Sequence, residues 1–131
     1  MEVVNAFFCD AAIIDGAGKV SVLGIFTNIS TGEFPTTHAQ MTLVAIIEGQ
    51  PKDVGQHNLI IDFVDKDGEQ FLPKLEGIFE LTSSKINHSL ILNLQGVLFP
   101  HPGIYYANIS VDDRCLRSMS LKFNQVSNVS H

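Results

Sequence analysis

Tryptophan is absent from this chain of 131 residues, and cysteine occurs only twice, as Cys9 and Cys115. Two cysteines this far apart form neither the Cys-x-x-Cys pair of a zinc site nor the disulfide framework of a small secreted domain. We expect two buried free thiols. A disulfide between them would require the first and last strands to be neighbours.

Charge is scarce as well. Charged residues make up 17% of the chain, against roughly 25% in a typical soluble domain. The net charge of -6 argues against binding to nucleic acid or to an anionic membrane, since both need a basic surface. No apolar run approaches the ~20 residues of a spanning helix, and the first residues lack the features of a secretory signal. We therefore expect a cytoplasmic protein.

Helical periodicity is nearly absent, and short β-rich runs separated by Gly, Pro, Asn and Asp recur instead. Eight or nine strands at roughly ten-residue spacing are typical of an all-β sandwich or small barrel, and we predict a two-sheet antiparallel sandwich. A single domain over residues 1–124 and a polar tail over 125–131 complete this prediction. The predicted strands are Val3–Ile14, Lys19–Ile29, His38–Glu48, His57–Asp65, Glu69–Leu72, Gly77–Leu81, His88–Gln95, Ile104–Val111 and Leu116–Phe123.

Turn residues support this division of the chain. Gly16 and Gly18 supply the positive φ angles of a tight hairpin loop, and Asp67-Gly68 predicts a second hairpin. Pro73 cannot donate a ladder hydrogen bond, so any strand there lies at a sheet edge or breaks.

One local pattern resembles the tyrosine corner of immunoglobulin-like sandwiches. Alternating Leu90, Leu92 and Leu94 are followed by Gly103 and Tyr105, in a run resembling the Gly-x-Tyr-x-Cys of those domains. Alanine replaces the cysteine, at residue 107, and no tryptophan is present to pack on a disulfide. The resemblance implies an immunoglobulin-like architecture that is not of the antibody type.

Four longer stretches together resemble an uncharacterised bacterial family of small β-sandwich proteins. The resemblance implies a sandwich fold and carries no activity, cofactor or site residue. The stretches are Phe7–Ala12, Phe34–His38, Leu43–Gly49 and Leu92–Pro100.

Motifs of catalysis and of cofactor binding are not found. The string 16–21 fails as a phosphate loop because Val20 follows the lysine and a strand follows in place of a helix. The string 65–69 fails as a calcium loop because Lys74 occupies the position of the bidentate glutamate. The five histidines share no ligand spacing. We predict no metal, no cofactor and no catalytic residue; a pair of Asp10 and His38 is the best enzyme candidate.

The positive lead is a set of strands that are apolar on both faces. Residues 1–49 hold six charged residues, and 86–111 hold none. A sandwich wets one face of each sheet, so such strands need a second cover, which the same chain or another subunit can supply. We predict a non-catalytic structural or interaction module that self-associates or docks on another protein. The interface candidates, where they face outward, are Val22, Ile25, Phe26, Val44 and Ile46.

An alternative interpretation is a binder of small ligands or carbohydrates that uses loops at one end of the sandwich. Aromatic, histidine and amide side chains converging on an open concavity would provide stacking and hydrogen bonds. The candidates for such a site are Asp10, Phe34, His38, Asn93, Phe99, His101 and Tyr106.

Overall fold

Nine strands form within residues 1–126, the part of the chain that the computed structural model describes. They confirm the predicted all-β fold of eight or nine strands. Over the same residues the helical content is one short 3-10 turn, Pro51–Asp53, and no helix is long and apolar enough to cross a bilayer. The strands are β1 Glu2–Ile14, β2 Val20–Phe26, β3 Asn28–Thr31, β4 Thr36–Glu48, β5 Gly55–Asp65, β6 Gln70–Leu81, β7 Asn87–Phe99, β8 Gly103–Val111 and β9 Arg114–Gln125.

The strands pack as two sheets. Over the described residues sheet A has the order β2-β1-β4-β7, and sheet B has the order β3-β9-β8-β5-β6. All neighbouring strands are antiparallel except β3 and β9, which run parallel. Each sheet turns one face towards the core, which leaves an outer face on the surface of the molecule.

The predicted strand boundaries are wrong at two places in the chain. The predicted strand Lys19–Ile29 is divided at Thr27, because β2 pairs with β1 in sheet A whereas β3 pairs with β9 in sheet B. The Thr27 carbonyl accepts a hydrogen bond from the Lys122 amide at 2.9 Å where the chain changes sheet. The two strands predicted on either side of Pro73 form one continuous strand, β6. It is an edge strand of sheet B, where a proline is tolerated.

Two hairpins turn by the same device. Asp15 follows β1, and its side chain accepts hydrogen bonds from the amides two and four residues further on, at 2.8 and 2.9 Å. Asp65 does the same at the end of β5, with both distances 2.9 Å. Gly18 and Gly68 take φ values of +81° and +80° in these loops, a conformation that favours glycine. The predicted hairpins are confirmed.

The core is aromatic at one end. Phe99 stacks on Phe123 with ring centroids 4.0 Å apart, and Tyr105 meets both rings edge-on, at 4.9 and 5.7 Å. All three side chains are almost completely buried. Edge-to-face and offset pairs of this kind add about 0.5–1.5 kcal/mol each beyond the burial of apolar area.

Tyr105 also forms the predicted tyrosine corner. Its hydroxyl donates a hydrogen bond to the carbonyl of His101 at 2.5 Å and accepts one from the amide of the same residue at 3.2 Å. Ala107, which stands in the place of the immunoglobulin cysteine, is fully buried. The immunoglobulin-like architecture predicted from this pattern is therefore confirmed.

The two cysteines lie in different sheets, and both are free. Cys9 in β1 is buried, as expected. Cys115 is exposed, so the prediction of a buried thiol is wrong for this residue. It is the second residue of β9, next to the turn that joins β8 to β9, where the strand end is open to solvent.

The domain extends slightly beyond its predicted end at residue 124. Strand β9 ends at Gln125, and the amide of Val126 donates to the carbonyl of Thr31 at 2.9 Å. The rest of the predicted tail, 127–131, lies outside the described residues.

Candidate interaction surface

The outer face of sheet A follows from the register of its strands. Phe8 and Leu43 are paired and both belong to the core. Paired residues share a face and successive residues alternate, so the neighbours of these two point outward. Across the strands the outward side chains form rows: Asn5, Ile46 and Ser89; Phe7, Val44 and Ile91; Ile25, Cys9, Thr42 and Asn93; Leu23 and Ala11; Ser21 and Ile13.

Charge reaches this outer face only at its two ends, as far as the described residues go. Glu2 and Glu48 are paired at one end, and Asp15 and Lys19 lie at the tip of the β1–β2 hairpin at the other. Between these ends every outward side chain named above is apolar or neutral. The face therefore lacks the charged side chains that usually favour solvent exposure of a sheet surface.

Three large aliphatic side chains of this face are exposed. Leu23 is 72% exposed, Ile13 65% and Ile25 59%. Val44, by contrast, is fully buried although it points away from the core. Its register neighbours, Phe7 and Ile91, are larger side chains in the strands on either side. The exposed apolar area is thus concentrated on β1 and β2.

The polar atoms at the centre of the face are satisfied within the sheet. The Thr42 hydroxyl donates to the Asn93 side-chain oxygen at 2.9 Å, and the Cys9 thiol contacts the carbonyls of Ala11 and Thr42 at 3.5 and 3.7 Å. Burial, and then the nearby charge of Asp10, raises the pKa of Cys9. The thiol is therefore held neutral and is a poor nucleophile.

The β1–β2 hairpin extends beyond the rest of sheet A. Pairing of β1 with β4 ends at Cys9 and Thr42, whereas pairing with β2 continues to Ile14 and Val20. Over residues 10–14, β1 therefore has one strand partner in the described structure. A two-stranded ribbon alone is marginal in water, and the aliphatic residues of this arm are left uncovered by the described part of the chain.

The interface residues predicted from the sequence divide into two groups. Ile25, Ile46 and Val44 point outward as required, although Val44 is buried by its neighbours. Val22 and Phe26 point inward, because Phe26 pairs with Phe8 and packs against the core. These two assignments were wrong for an outer interface, since both faces of β2 are apolar and the pattern alone does not distinguish them. Leu23 and Ile13, the two most exposed, were not among the candidates.

The aromatic rings of the alternative interpretation do not line an open site. Phe99 is fully buried, and Phe34 packs edge-on against Phe123 at 6.3 Å. An interior void lined by Phe71 and Phe99, among others, measures about 10 Å³, no more than one water molecule needs. Phe99 was therefore wrongly assigned as a ligand contact. Tyr106 and Asn93 lie on the outer faces of different sheets, in β8 and β7.

Asp10 and His38 do not form the pair that was the best candidate for an enzyme site. Asp10 is exposed, and its carboxylate lies over Gly24, where a Cβ atom would clash with it. The His38 ring packs against Phe26 at 5.8 Å. The hydrogen bonds found over residues 1–126 include none between Asp10 and His38, so this candidate for catalysis was wrong.

Another carboxylate–histidine pair exists, and it belongs to the tyrosine corner. His101 Nε2 lies 3.2 Å from Asp65 Oδ2, and the His101 ring stacks on Tyr105. Burial acts to raise the pKa of Asp65, but the amides of Glu69 and Asp67 and the His101 ring outweigh it and lower the pKa. The carboxylate is already occupied by the hairpin turn, which is a structural role.

His57 forms a second such cluster near the chain start. Its Nδ1 lies 2.6 Å from Asp112 Oδ2, and its Nε2 lies 2.6 Å from the carbonyl of Asp53. Both partners are acceptors, so the imidazolium form, in which both ring nitrogens donate, is the form that satisfies both contacts. The bond to Asp112, followed by the bond to Asp53, raises the pKa of His57. Sequence reasoning missed this cluster, because its members are far apart in the chain.

Comparisons with known proteins identify the family of this chain. A family model described as a family of unknown function (DUF6941) matches residues 5–124, and no curated protein matches the chain. An immunoglobulin-like protein from Pseudomonas aeruginosa is 12% identical with a TM-score of 0.44, over 94% of this chain and 95% of that one. A DNA-bound alkylpurine DNA glycosylase from Pseudomonas fluorescens is 13% identical with a TM-score of 0.41, over 91% of this chain and 30% of that one. At these values neither structure informs on activity.

Proposed function

We propose that this chain, which belongs to the DUF6941 family, is a non-catalytic interaction module that self-associates through the outer face of sheet A. One observation carries the proposal. Leu23, Ile13 and Ile25 are exposed together on a face that has no charge between its ends. Covering such a face removes apolar surface from water without desolvating an ion.

The expected strength follows from the exposed fractions. Full burial of a large aliphatic side chain gives about 1.5–3 kcal/mol, and the three residues have roughly two-thirds of that still to gain, about 3–6 kcal/mol together. The partly exposed Phe7, Ile46 and Ile91 lie on the same face and add to this. Because association has its own entropic cost, we expect weak binding and therefore a concentration-dependent assembly.

A second copy of the chain is the partner that this face fits best. A two-fold interface places the same surface on both subunits. On a charged face, like charges of the two copies would then lie close to each other. This face has no charged residue between Glu48 at one end and Asp15 at the other. Docking onto other proteins, by contrast, would not require the face to be complementary to itself.

The test is the mass in solution of a charged variant. Leu23→Lys with Ile25→Lys places two cations on the proposed interface. Ile78→Lys is the matched control, because Ile78 is 67% exposed on the outer face of sheet B. Size exclusion with light scattering over a hundredfold concentration range should give wild-type masses that rise above 14.4 kDa. Unchanged circular dichroism should accompany every variant.

The expected result is a lower mass for the sheet A variant at each concentration and a wild-type mass for I78K. Equal masses for wild type and the sheet A variant would refute the face as an interface. A wild type that stays at 14.4 kDa at every concentration would refute self-association altogether.

A reducing compartment, the cytoplasm, completes the proposal. The support is an exposed thiol, Cys115, that has no disulfide partner over the described residues. Such a thiol persists where glutathione keeps cysteines reduced. Fractionation of cells expressing the protein at its natural level tests this, and recovery outside the cytoplasm would refute it.

A further inference from the structure

The four sheet edges of the described residues differ in how well they are protected. Strands with free edges tend to pair with other chains, and proteins block them with short length, charge or proline. Strand β3 has four residues, and β6 carries Pro73, Lys74 and two glutamates. Strand β2 has seven residues and is interrupted by Gly24 with a φ of +67°. Strand β7 has 13 residues with neither charge nor proline.

The free side of β7 presents unpaired backbone groups. Strand β7 pairs with β4 along nearly its whole length and has no strand on its other side within residues 1–126. In an antiparallel ladder only alternate residues bond to a given neighbour. Every second amide and carbonyl of β7 therefore points away from β4, towards the outside of the sheet.

The side chains of this edge are also incompletely covered. Leu90, Leu92 and Leu94 point inward and pack against the core, yet each remains partly exposed because sheet A ends at this strand. A further strand beside β7 would cover them. The edge thus lacks both its hydrogen-bonding partners and part of its apolar cover.

We infer that β7 pairs antiparallel with β7 of a second copy across a two-fold axis, which joins two copies of sheet A into one continuous sheet. The leucine row fixes the register. An axis at Leu92 places Leu90 of one copy opposite Leu94 of the other, and Leu92 opposite itself. In this register every inward leucine meets a leucine, and Ser89 lies opposite Gln95 on the outer face. The pairing also ends before Gly96, where a φ of +61° bends the strand.

The absence of charge makes self-pairing permissible here. Like charges directly opposite each other destabilise a strand pair, and a two-fold axis through a charged strand brings such residues close together. No Asp, Glu, Lys or Arg occurs between Ile86 and Val111, so β7 meets its own copy without repulsion.

The free backbone edge of β7 is separate from the exposed aliphatic residues on β1 and β2 that carry the proposed face contact, and each contact can form without the other. The inference deepens the proposed function, self-association, since it names a second surface through which copies of this chain contact each other. With both contacts in use, the assembly grows beyond a dimer, because each copy then touches two others.

The test uses a charge exchange at the predicted register. In the L23K/I25K background, Ser89→Lys with Gln95→Lys places two lysines opposite each other at each end of the pairing. Ser89→Glu with Gln95→Lys places opposite charges at the same positions. We expect the background and the Glu/Lys variant to form dimers of twice 14.4 kDa and the Lys/Lys variant to be monomeric.

Hydrogen exchange by NMR gives a second readout. In the dimeric variant consecutive amides from residue 89 to 95 should exchange slowly, whereas in the Lys/Lys variant alternate amides should exchange fast. Circular dichroism checks that both variants are folded.

The inference and the proposed function fail separately. If the L23K/I25K background is already monomeric at the highest concentration, the edge contact is refuted and the face contact stands. If S89K/Q95K in the native background lowers the mass while L23K/I25K does not, the edge contact stands and the proposed face is refuted. Equal masses for the Lys/Lys and Glu/Lys variants would overturn the register.

Discussion

Removal of a single oxygen atom tests the tyrosine corner. Tyr105→Phe leaves the ring in place among Phe99, Phe123 and Phe71 and deletes the hydroxyl that bridges the amide and the carbonyl of His101. The side chain is 1% exposed, so water cannot readily replace the hydroxyl from the core side. The variant thus removes hydrogen bonds with little change in packing.

The size of the effect follows from these two bonds. A typical hydrogen bond contributes about 0.5–1.5 kcal/mol net, and an unsatisfied buried group costs about 1–3 kcal/mol. His101 is only half-buried, so water can reach its freed amide and carbonyl in part. We therefore expect the free energy of unfolding to fall by about 1–2 kcal/mol, at the low end of the combined range.

Urea denaturation followed by circular dichroism measures this change, with an unaltered m-value as the sign that the folded and denatured states are otherwise the same. Tyr106→Phe is the matched control. Tyr106 lies next in the chain, points to the outer face of sheet B, and its hydroxyl makes no hydrogen bond within residues 1–126. We expect its effect to stay within about 0.5 kcal/mol. Equal effects for Y105F and Y106F would refute the structural role of the corner.

Two further predictions concern titratable groups. Because the folded-state pKa of His57 is raised above its ordinary value of 6.5, the stability it contributes is complete below that pH and is lost as pH rises through the folded value. His57→Gln should flatten this part of the urea midpoint profile, and an identical pH profile would contradict the imidazolium. For the thiols, the exposed Cys115 should react at once with a thiol reagent, whereas the buried Cys9 should react only on unfolding. Two fast-reacting thiols in the native protein would contradict this.

Local turn chemistry was readable from the sequence because it depends on neighbouring residues. Asp15 with Gly18 and Asp65 with Gly68 form hairpins through bonds that span four residues. The tyrosine corner spans the same short distance, from His101 to Tyr105. Strand number and fold class followed from the spacing of these turns.

The inward or outward direction of side chains was harder to predict, since it depends on contacts between distant strands. Inward residues normally follow each other at every second position of a strand. On β4, however, the inward residue after His38 is Met41, and on β7 the inward residue after Leu94 is Val97, so each strand has one extra residue at the same place. Because both strands have an extra residue, the pairing between β4 and β7 stays in register. Beyond this point, however, the alternate residues of each strand that point inward and outward are exchanged. Phe99 is turned into the core for this reason, and a pattern of alternation read along one strand does not reveal it.

The contrast between the two outer faces bears most directly on function. Both sheets contribute apolar inner faces to one core, so folding makes the same demand of each. The outer face of sheet B meets water with polar side chains across its centre, where Asp62, Asn108 and Ser118 are paired and Ser118 donates to Asn108 at 2.6 Å. A sandwich of this kind therefore does not require an apolar outer face. Leu23 and Ile25 are exposed and contribute little to the core, so the stability of the fold does not account for their presence on sheet A, whereas the proposed contact with a second copy would.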